Sequence, residues 1–346
     1  MSKKQYDASK LQAFGNAAAG HDGVLSDPTG AVVVKPCTRA EIDFYESVNA
    51  NHPDLLPHFP AYMGELALTS DQDAGKAAAE SGSITTADGT VERLHGKKLD
   101  TDLHIVLENI THGFKQPNVL DLKLGKQLWD EKAKPEKRAR LDEVANSTTS
   151  GSLGFRIAGM RTWKGGADTV PEVPSELKEY TESKGDDGYW VYNKMYGRKF
   201  SKEDITEGFE AYVLPQGRSL EQLARAQEIL AFFLGEVKDI ISVFEKKESR
   251  MYSASILLVY EGDVEEYAKT KKTLRSLSAE DEEGEDDDED LPKLAAVKLI
   301  DFAHATWRDG EGSDENALRG MRSTADILKD LLATTNKELE AAEEQS

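Results

Sequence analysis

The stretch that decides the fold is Pro117-Asn118-Val119-Leu120-Asp121-Leu122-Lys123-Leu124-Gly125. Apolar and polar side chains alternate along it, which predicts a β-strand with Leu120, Leu122 and Leu124 on one face. Asp121 and Lys123 then share the opposite face. A carboxylate and an ammonium group side by side could hold a hydroxyl and a phosphate together. An ordinary ion pair at a sheet surface would give the same pattern, so this strand alone leaves both interpretations open.

The sequence on either side of this strand predicts an α+β fold with two lobes. Residues 20–110 contain short apolar strands and turns, and should form a small β-rich N-lobe that ends in a hinge near Glu108–Gln116. Residues 111–336 combine strands with long amphipathic helices and should form the larger C-lobe. The remaining ends, 1–19 and 337–346, are expected to be a disordered N-terminus and a polar tail.

The composition argues against several classes of protein. A chain of 346 residues with a net charge of −21 is not expected to bind nucleic acid directly. No apolar run approaches the roughly 20 residues that a membrane span requires. The single cysteine, Cys37, predicts a reducing compartment, the nucleus or the cytoplasm.

Charge is distributed unevenly along the chain. Ten of the eleven residues in Glu280–Asp290 are acidic, and residues 267–292 around them are expected to form a disordered acidic loop. Residues 123–140 instead carry seven basic and three acidic residues. On charge alone, this basic segment could be a solvated helix face or a binding site for an anionic ligand.

A candidate for contacting nucleotide phosphates lies further upstream. Phosphoryl transfer needs a cation for those phosphates, an acidic ligand for magnesium, and groups that align the acceptor hydroxyl. Lys35 follows the apolar strand Ala31–Val34, and Glu41 lies on the next helix, so the two could form a lysine–glutamate pair. A surface lysine and a helix-capping glutamate would explain the same residues.

Five blocks of sequence carry a family resemblance. Pro117–Gly125 fits the pattern P-x-x-x-D-x-K-x-G, Ser255–Gly262 reads S-I-L-L-V-Y-E-G, and Ile300–His304 reads I-D-F-A-H. Gly151–Met160 and Tyr196–Lys199 are the other two blocks. Taken together, and in the order in which they follow one another along the chain, the five blocks resemble the inositol polyphosphate kinase family, and within it the fungal multikinases.

The resemblance implies a kinase-like fold with ATP and Mg²⁺ in a cleft between the two lobes. In such a site Lys35 would contact the nucleotide phosphates. Glu108 and the backbone of Ile110 would meet the adenine ring. Asp301 would ligate magnesium, with Ser255 close to the metal.

The resemblance also implies how the acceptor would be bound. Asp121 would orient the acceptor hydroxyl, and Lys123 would neutralise charge on the transferring phosphoryl group. His304 would contact a substrate phosphate. Candidates for the other phosphates are the basic residues Lys126, Lys134, Lys137 and Arg138. Pro135 is expected to interrupt any helix in this segment.

Three functions are compatible with the resemblance. A multikinase would phosphorylate inositol trisphosphate to the tetrakis- and pentakisphosphate, and the compact chain favours it. A hexakisphosphate kinase that makes pyrophosphates shares the signature but usually has a longer chain. A scaffold would use the acidic loop to bind transcription regulators, alone or in addition to catalysis. We expect a monomer, present in the nucleus and the cytoplasm.

Overall fold

The computed structural model describes residues 8–16, 18, 23–68, 83–85, 91–93, 99, 101–166, 169–183, 187–280 and 292–345. Two larger antiparallel sheets dominate this part of the chain, one built from strands up to Glu108 and the other from strands after Gln116. The connection 109–116 lies where the sequence predicts the hinge.

The N-lobe is built on a five-stranded sheet. Its strands are β1 (Gln12–Ala13), β2 (Leu25–Ser26), β3 (Val32–Pro36), β4 (Tyr62–Ala67) and β7 (Leu103–Glu108), in the order β1-β2-β3-β7-β4. A separate hairpin consists of β5 (Ser83–Thr85) and β6 (Val91–Arg93). Helix α1 (Arg39–Asn51) begins after Thr38, whose side chain accepts a hydrogen bond from the backbone N–H of Glu41. This cap fixes the start of α1 and so places Glu41 beside the end of β3.

The C-lobe is built on a six-stranded sheet. Its strands are β8 (Pro117–Leu124), β9 (Phe155–Trp163), β10 (Thr181–Ser183), β11 (Tyr189–Tyr192), β13 (Ser255–Glu261) and β14 (Ala295–Ile300). Their order is β10-β11-β9-β8-β13-β14, so β8 lies between β9 and β13. β12 (Ser249–Met251) pairs separately with β15 (Ala305–Trp307).

Helices cover one face of the C-lobe sheet. Those after α1 in the described part of the chain are α2 (Pro135–Asn146), α3 (Thr149–Leu153), α4 (Lys194–Arg198), α5 (Ile205–Val213), α6 (Leu220–Phe244), α7 (Val264–Glu280) and α8 (Glu315–Glu343). The long helices α6 and α8 pack against each other and against the sheet. None of the described helices is long and apolar enough to cross a membrane.

The central strand β8 shows why the sheet has two different faces. Leu120, Leu122 and Leu124 are fully buried in the main core beneath α6 and α8. Asp121 and Lys123 therefore lie on the other face, which is turned toward the N-lobe. The predicted strand and the predicted α+β class are both confirmed.

Two terminal predictions were wrong within the described residues. The N-terminal segment expected to be disordered contains β1, and its Leu11 is buried in the N-lobe core. The expected polar tail instead belongs to α8, which continues as far as Glu343. Within it Leu339 is buried, one turn after the buried Thr335. Both segments are short and rich in polar residues, and so neither was predicted to be ordered.

The acidic loop was also predicted wrongly in part, because α7 occupies its residues 267–280. Tyr267 is buried, and its hydroxyl donates to the Glu228 carboxylate of α6 at 3.0 Å. Lys271, one turn later, forms an ion pair with the same carboxylate. The helix therefore finds its charge partner on α6, which composition alone does not show. The remainder, 281–291, lies outside the described residues.

Candidate active site

Strand register brings the candidate catalytic residues to one face. Asp121 lies opposite Leu257, and Lys123 lies opposite Ser255, across the β8–β13 pairing. Ser255 in turn lies opposite Ile300, the last residue of β14. Paired residues in a sheet point to the same side, so Asp121, Lys123 and Ser255 share the face turned toward the N-lobe.

Asp301 follows β14 directly and has an unusual backbone. Its φ is +67°, in the left-handed region that few residues other than glycine adopt. This turn presents the carboxylate to lysines of both lobes. Asp301 Oδ1 lies 2.7 Å from Lys35 Nζ, and Oδ2 lies 3.9 Å from Lys123 Nζ. Asp301 thus bridges the N-lobe and the C-lobe across the cleft.

Lys35 is held by two carboxylates. Besides Asp301, its ammonium group contacts Glu41 Oε1 at 2.9 Å, and Glu41 is buried. Burial opposes the charge on Lys35, but the Asp301 and Glu41 carboxylates outweigh it and raise the pKa of Lys35 well above its ordinary value. The lysine stays charged, as contact with nucleotide phosphates would require.

Asp121 is the buried carboxyl group of the cleft. Burial raises its pKa from 3.8 to about 6, and the Asp301 carboxylate acts in the same direction, while the Lys123 ammonium and the Ser255 hydroxyl oppose the shift. Its Oδ1 atom has no hydrogen-bond partner among the described residues. A buried acceptor without a partner is unfavourable unless a ligand supplies one, so Asp121 is placed to accept a hydrogen bond from a bound hydroxyl.

Lys123 is positioned by the backbone as well as by Asp301. Its Nζ donates to the carbonyl oxygen of Ser253 at 3.0 Å. Ser253 also has a left-handed backbone, with φ of +60°. Ser253 and Asp301, which both have a left-handed backbone, therefore both contact Lys123. They shape the part of the cleft where negative charge would develop during phosphoryl transfer.

The connection between the lobes lines an apolar part of the same cleft. Leu107, Ile110, Val119 and Leu257 line one cavity together with Lys35, Asp121 and Asp301. Such a surface suits a flat aromatic base.

Glu108, which is also part of this cavity lining, contacts protein groups with its carboxylate. Its Oε2 accepts from the Ala61 N–H and its Oε1 from Lys293 Nζ, both at 3.3 Å.

His304, three residues after Asp301, lies beside Asp130. Its Nδ1 is 2.6 Å from Asp130 Oδ2. Burial opposes ionisation of Asp130, yet the His304 ring and the charge of Lys137 lower the pKa of this carboxyl group. His304 therefore contacts Asp130 directly, and the charge of Lys137 acts on the same carboxylate.

The other predicted phosphate ligands are placed differently from one another. Lys126 and Lys134 are exposed. Arg138 is already engaged: its Nε donates to the Ala133 carbonyl at 2.8 Å, its Nη2 donates to the Glu131 carbonyl, and the guanidinium stacks 4.6 Å from the Trp129 ring.

The prediction that Pro135 interrupts a helix was wrong, because this residue begins α2. It occupies the first helical position, where the missing N–H of proline is not needed.

Two arginines at the site had no role assigned from the sequence. A bulge in β9 between the partners of Asp121 and Leu122 turns Arg156 to the cleft face, opposite Lys123. Burial lowers the pKa of Arg156 to about 10, and the Arg198 guanidinium acts in the same direction. The charges of Arg156 and Arg198 therefore act on each other near Lys123, and the Asp121 carboxylate opposes the shift of Arg156. Both arginines lie within recognised sequence blocks, but a β-bulge is not visible in a sequence.

A divalent cation would find one strong protein ligand in this cleft. Among the described residues, no group of three or more His, Cys, Asp or Glu side chains could hold a metal alone. Asp301, with the Ser255 hydroxyl nearby, fits an ion that takes its other ligands from phosphates and water, as Mg²⁺ does. The fold and this cleft together define a two-lobed, kinase-like phosphotransferase.

Comparison with known proteins names the family. The profile described as inositol polyphosphate kinase matches residues 104–329. The chain is 33% identical to the inositol polyphosphate multikinase of Saccharomyces cerevisiae over 347 residues, covering 90% of this chain and 96% of that protein. It is 32% identical to the multikinase of Schizosaccharomyces pombe over 318 residues, covering 91% and 95%. The chain belongs to the inositol polyphosphate kinase family.

A solved structure agrees in fold. The crystal structure of the S. cerevisiae inositol phosphate multikinase in complex with ADP and Mn²⁺ superposes with a TM-score of 0.63 at 32% identity, and the match covers 88% of this chain and 100% of that one. A mouse inositol hexakisphosphate kinase 3 is 28% identical, over 66% of this chain and 50% of its own length. The resemblance to the family, and to its fungal multikinases, is confirmed.

Proposed function

We propose that this protein transfers the γ-phosphoryl group of ATP to hydroxyl groups of inositol polyphosphates, converting inositol trisphosphate to the tetrakis- and pentakisphosphate. The observation that carries the proposal is the arrangement of Lys35, Asp121, Lys123 and Asp301 around one cleft between the lobes. It provides a cation, a metal ligand and a buried carboxylate with one unpartnered oxygen within one site.

The nucleotide is proposed to bind in the apolar part of the cleft, with its phosphates at Lys35. The S. cerevisiae relative was solved with ADP and Mn²⁺, which supports a nucleotide and a divalent cation here. We take Mg²⁺ as the ion used with ATP. Asp301 would hold it, with the Ser255 hydroxyl nearby, and the ion would neutralise charge on the phosphates.

In the proposed step, the acceptor hydroxyl oxygen forms a bond to the γ-phosphorus while the bond from that phosphorus to the ADP oxygen breaks. The hydroxyl proton passes to the Asp121 carboxylate. A pKa of about 6 suits this task, because the group is ionised at neutral pH and still basic enough to accept a proton. Lys123 stabilises the negative charge that is spread over the transferring group.

The substrate phosphates are proposed to bind at two sets of basic side chains. One set is Lys123, Arg156 and Arg198. The other is His304 and Lys137, which both act on the Asp130 carboxylate. Charge-assisted contacts are strong and suit a ligand that carries several phosphates.

The multikinase assignment is favoured over a hexakisphosphate kinase by extent of similarity. The two fungal multikinases match 90% or more of this chain, whereas the mouse hexakisphosphate kinase matches 66%.

The deciding experiment is a product profile with magnesium-ATP. We expect inositol trisphosphate to be converted stepwise to tetrakis- and pentakisphosphate. A pyrophosphate formed from the hexakisphosphate, without turnover of the trisphosphate, would instead assign the protein to the other class.

Arg156 offers a test of the substrate side alone. Arg156→Met should raise KM for inositol trisphosphate about tenfold or more, because a buried charge-assisted contact to a phosphate is lost. The affinity for magnesium-ADP should not change. Arg140→Met, on the exposed surface of α2, controls for net charge and should leave KM unaltered. An unchanged KM in Arg156→Met would remove this arginine from the substrate site.

Three further assignments are proposals. The acidic tract would bind transcription regulators in addition to catalysis, as the family resemblance implies. The protein would act in nucleus and cytoplasm, which its single cysteine favours, and it would be a monomer. Deleting residues 281–290 should abolish capture of such a regulator while leaving turnover intact, and capture that survives the deletion would exclude the tract as the binding element.

A further inference from the structure

An N-terminal segment crosses the cleft outside the hinge. Gln12 and Ala13 pair with Ser26 and Leu25 in the N-lobe sheet, and Phe14 donates its N–H to the Val24 carbonyl at 3.1 Å. Four residues later, Ala18 is buried with Ile110, Val119 and Val259, the last two being on the C-lobe sheet. We call residues 14–16 and 18 the crossing segment. It provides a contact between the lobes in addition to the connection 109–116.

The crossing segment forms part of the wall of the nucleotide cleft. Phe14, Asn16 and Ala18 line the same cavity as Lys35 and Asp301. Any ligand that fills the apolar part of this cavity must therefore contact the segment or displace it.

Two side chains hold the crossing segment in place. The first is Asn16, whose Nδ2 donates to Thr111 Oγ1 at 3.2 Å. Thr111 is fixed in turn, because its N–H and hydroxyl both donate to Asn109 Oδ1, at 3.0 and 2.9 Å. The segment is thus tied to the connection between the lobes.

The second side chain that holds the crossing segment is Arg161, which lies on β9 and attaches the segment to the C-lobe sheet. Its Nη1 donates to the Gly15 carbonyl at 3.2 Å, and its Nη2 lies 3.3 Å from Asp187 Oδ2. The guanidinium stacks 3.7 Å from the Tyr189 ring, and only 7% of the residue is exposed. Burial of a guanidinium is unfavourable, and the Arg161 Nε atom has no partner among the described residues, so the Gly15 carbonyl and the Asp187 carboxylate are the two acceptors that offset this cost.

We propose that Arg161 and Asn16 are positioning residues for the nucleotide: by fixing the crossing segment, they set the affinity of the cleft for ADP and ATP. Neither is proposed to contact the phosphates. The inference rests on the proposed nucleotide site. It differs from a purely structural role for Arg161 within the β9–β11 pairing, which would affect stability but not nucleotide affinity.

The test is calorimetric titration of the purified full chain with magnesium-ADP, a measurement that needs no turnover. Arg161→Met and Asn16→Ala should each weaken binding about fivefold to tenfold, the loss expected for one hydrogen bond. Both side chains hold the same segment, so their effects should overlap. The loss of affinity in the double variant should therefore be smaller than the product of the two single losses. KM for ATP should rise in parallel, while kcat at saturating ATP and KM for inositol trisphosphate should not change. Arg161→Lys, which keeps a charged donor, should recover part of the affinity.

Two variants serve as matched controls. Asp187→Asn weakens the other partner of the same guanidinium but keeps Oδ1 as the acceptor for the Tyr189 N–H. Gln12→Ala changes an exposed residue of β1, just outside the crossing segment. Both should bind magnesium-ADP like the unaltered protein, and thermal unfolding would show that every variant is folded.

The outcomes separate this inference from the function on which it rests. If the unaltered protein binds magnesium-ADP and both anchor variants bind it equally well, the positioning role is wrong and the proposed function stands. Equal losses in Arg161→Met and Asp187→Asn would also overturn it, in favour of a structural role. If the unaltered protein does not bind magnesium-ADP, the proposed nucleotide site itself fails.

Discussion

Asp301→Asn should lower kcat by at least about a thousandfold while the protein remains folded. Asp301 is the carboxylate that both Lys35 and Lys123 contact, and it is the proposed ligand of the divalent cation. Loss of its charge removes the metal ligand and a preorganised partner of both lysines, and changes of this kind at charged transition states have large effects. Asparagine tolerates a left-handed backbone, so the turn after β14 should survive.

The measurement is steady-state turnover of inositol trisphosphate, combined with thermal unfolding. Asp309→Asn is the matched control, because it makes the same change at an exposed position a few residues further along. It should leave turnover unaffected. Activity of Asp301→Asn within tenfold of the unaltered protein would contradict both the metal ligand and the proposed chemistry.

Asp121→Asn should make the protein more stable and nearly inactive at once. The pKa of Asp121 is about 6 in the folded protein and 3.8 ordinarily, so the folded state binds the proton more tightly than the unfolded state. Ionisation above pH 6 therefore costs about 3 kcal/mol of folding free energy, and this cost disappears as the pH falls toward 4. Asparagine resembles the protonated form. The variant should gain up to about 3 kcal/mol of unfolding free energy at pH 7.5 and little at pH 4.

Asp121→Asn should lower turnover although it raises stability. Removing the proton acceptor should reduce kcat by about 10²- to 10⁴-fold. In the unaltered protein, kcat/KM for inositol trisphosphate should fall as the pH drops through about 6, because the Asp121 carboxylate of the free enzyme is then protonated and can no longer accept the hydroxyl proton. Denaturant unfolding at two pH values and a pH–rate profile test both parts. A variant that is destabilised at pH 7.5, or that keeps normal turnover, would refute the role of Asp121.

Short-range patterns in the sequence were enough to predict the local geometry around Lys35 and around the strand that carries Asp121 and Lys123. Alternation placed Asp121 and Lys123 on one face of a strand, and β8 has this geometry. The capping box at Thr38 placed Glu41 on the first turn of a helix, and Lys35 contacts it. In both cases the signal lies within a few residues, where periodicity and capping are specific.

The periphery of the site could not be predicted because it depends on contacts between distant segments. Arg156 faces the cleft only because β9 bulges, and Arg138 is occupied by carbonyl groups of its own loop. Leu11 is buried against residues of other strands. Pro135 was read as a helix breaker, although the same residue is favourable at the first position of a helix. Each of these outcomes is set by tertiary neighbours that a local pattern does not reveal.

The position of β8 in the sheet has a consequence for how the chain folds during synthesis. β9 follows β8 within the chain and can pair with it early, but β13 pairs with it only much later. The leucine face of β8 also waits for α8, whose Gly320 lies against Leu124. About 200 residues separate Leu124 from that point, so at roughly 5–20 residues per second this face stays without that cover for some 10–40 seconds on the ribosome. The strand that carries the candidate catalytic residues is thus among the first C-lobe elements to be made and among the last to be shielded from aggregation, and a chaperone would be useful there.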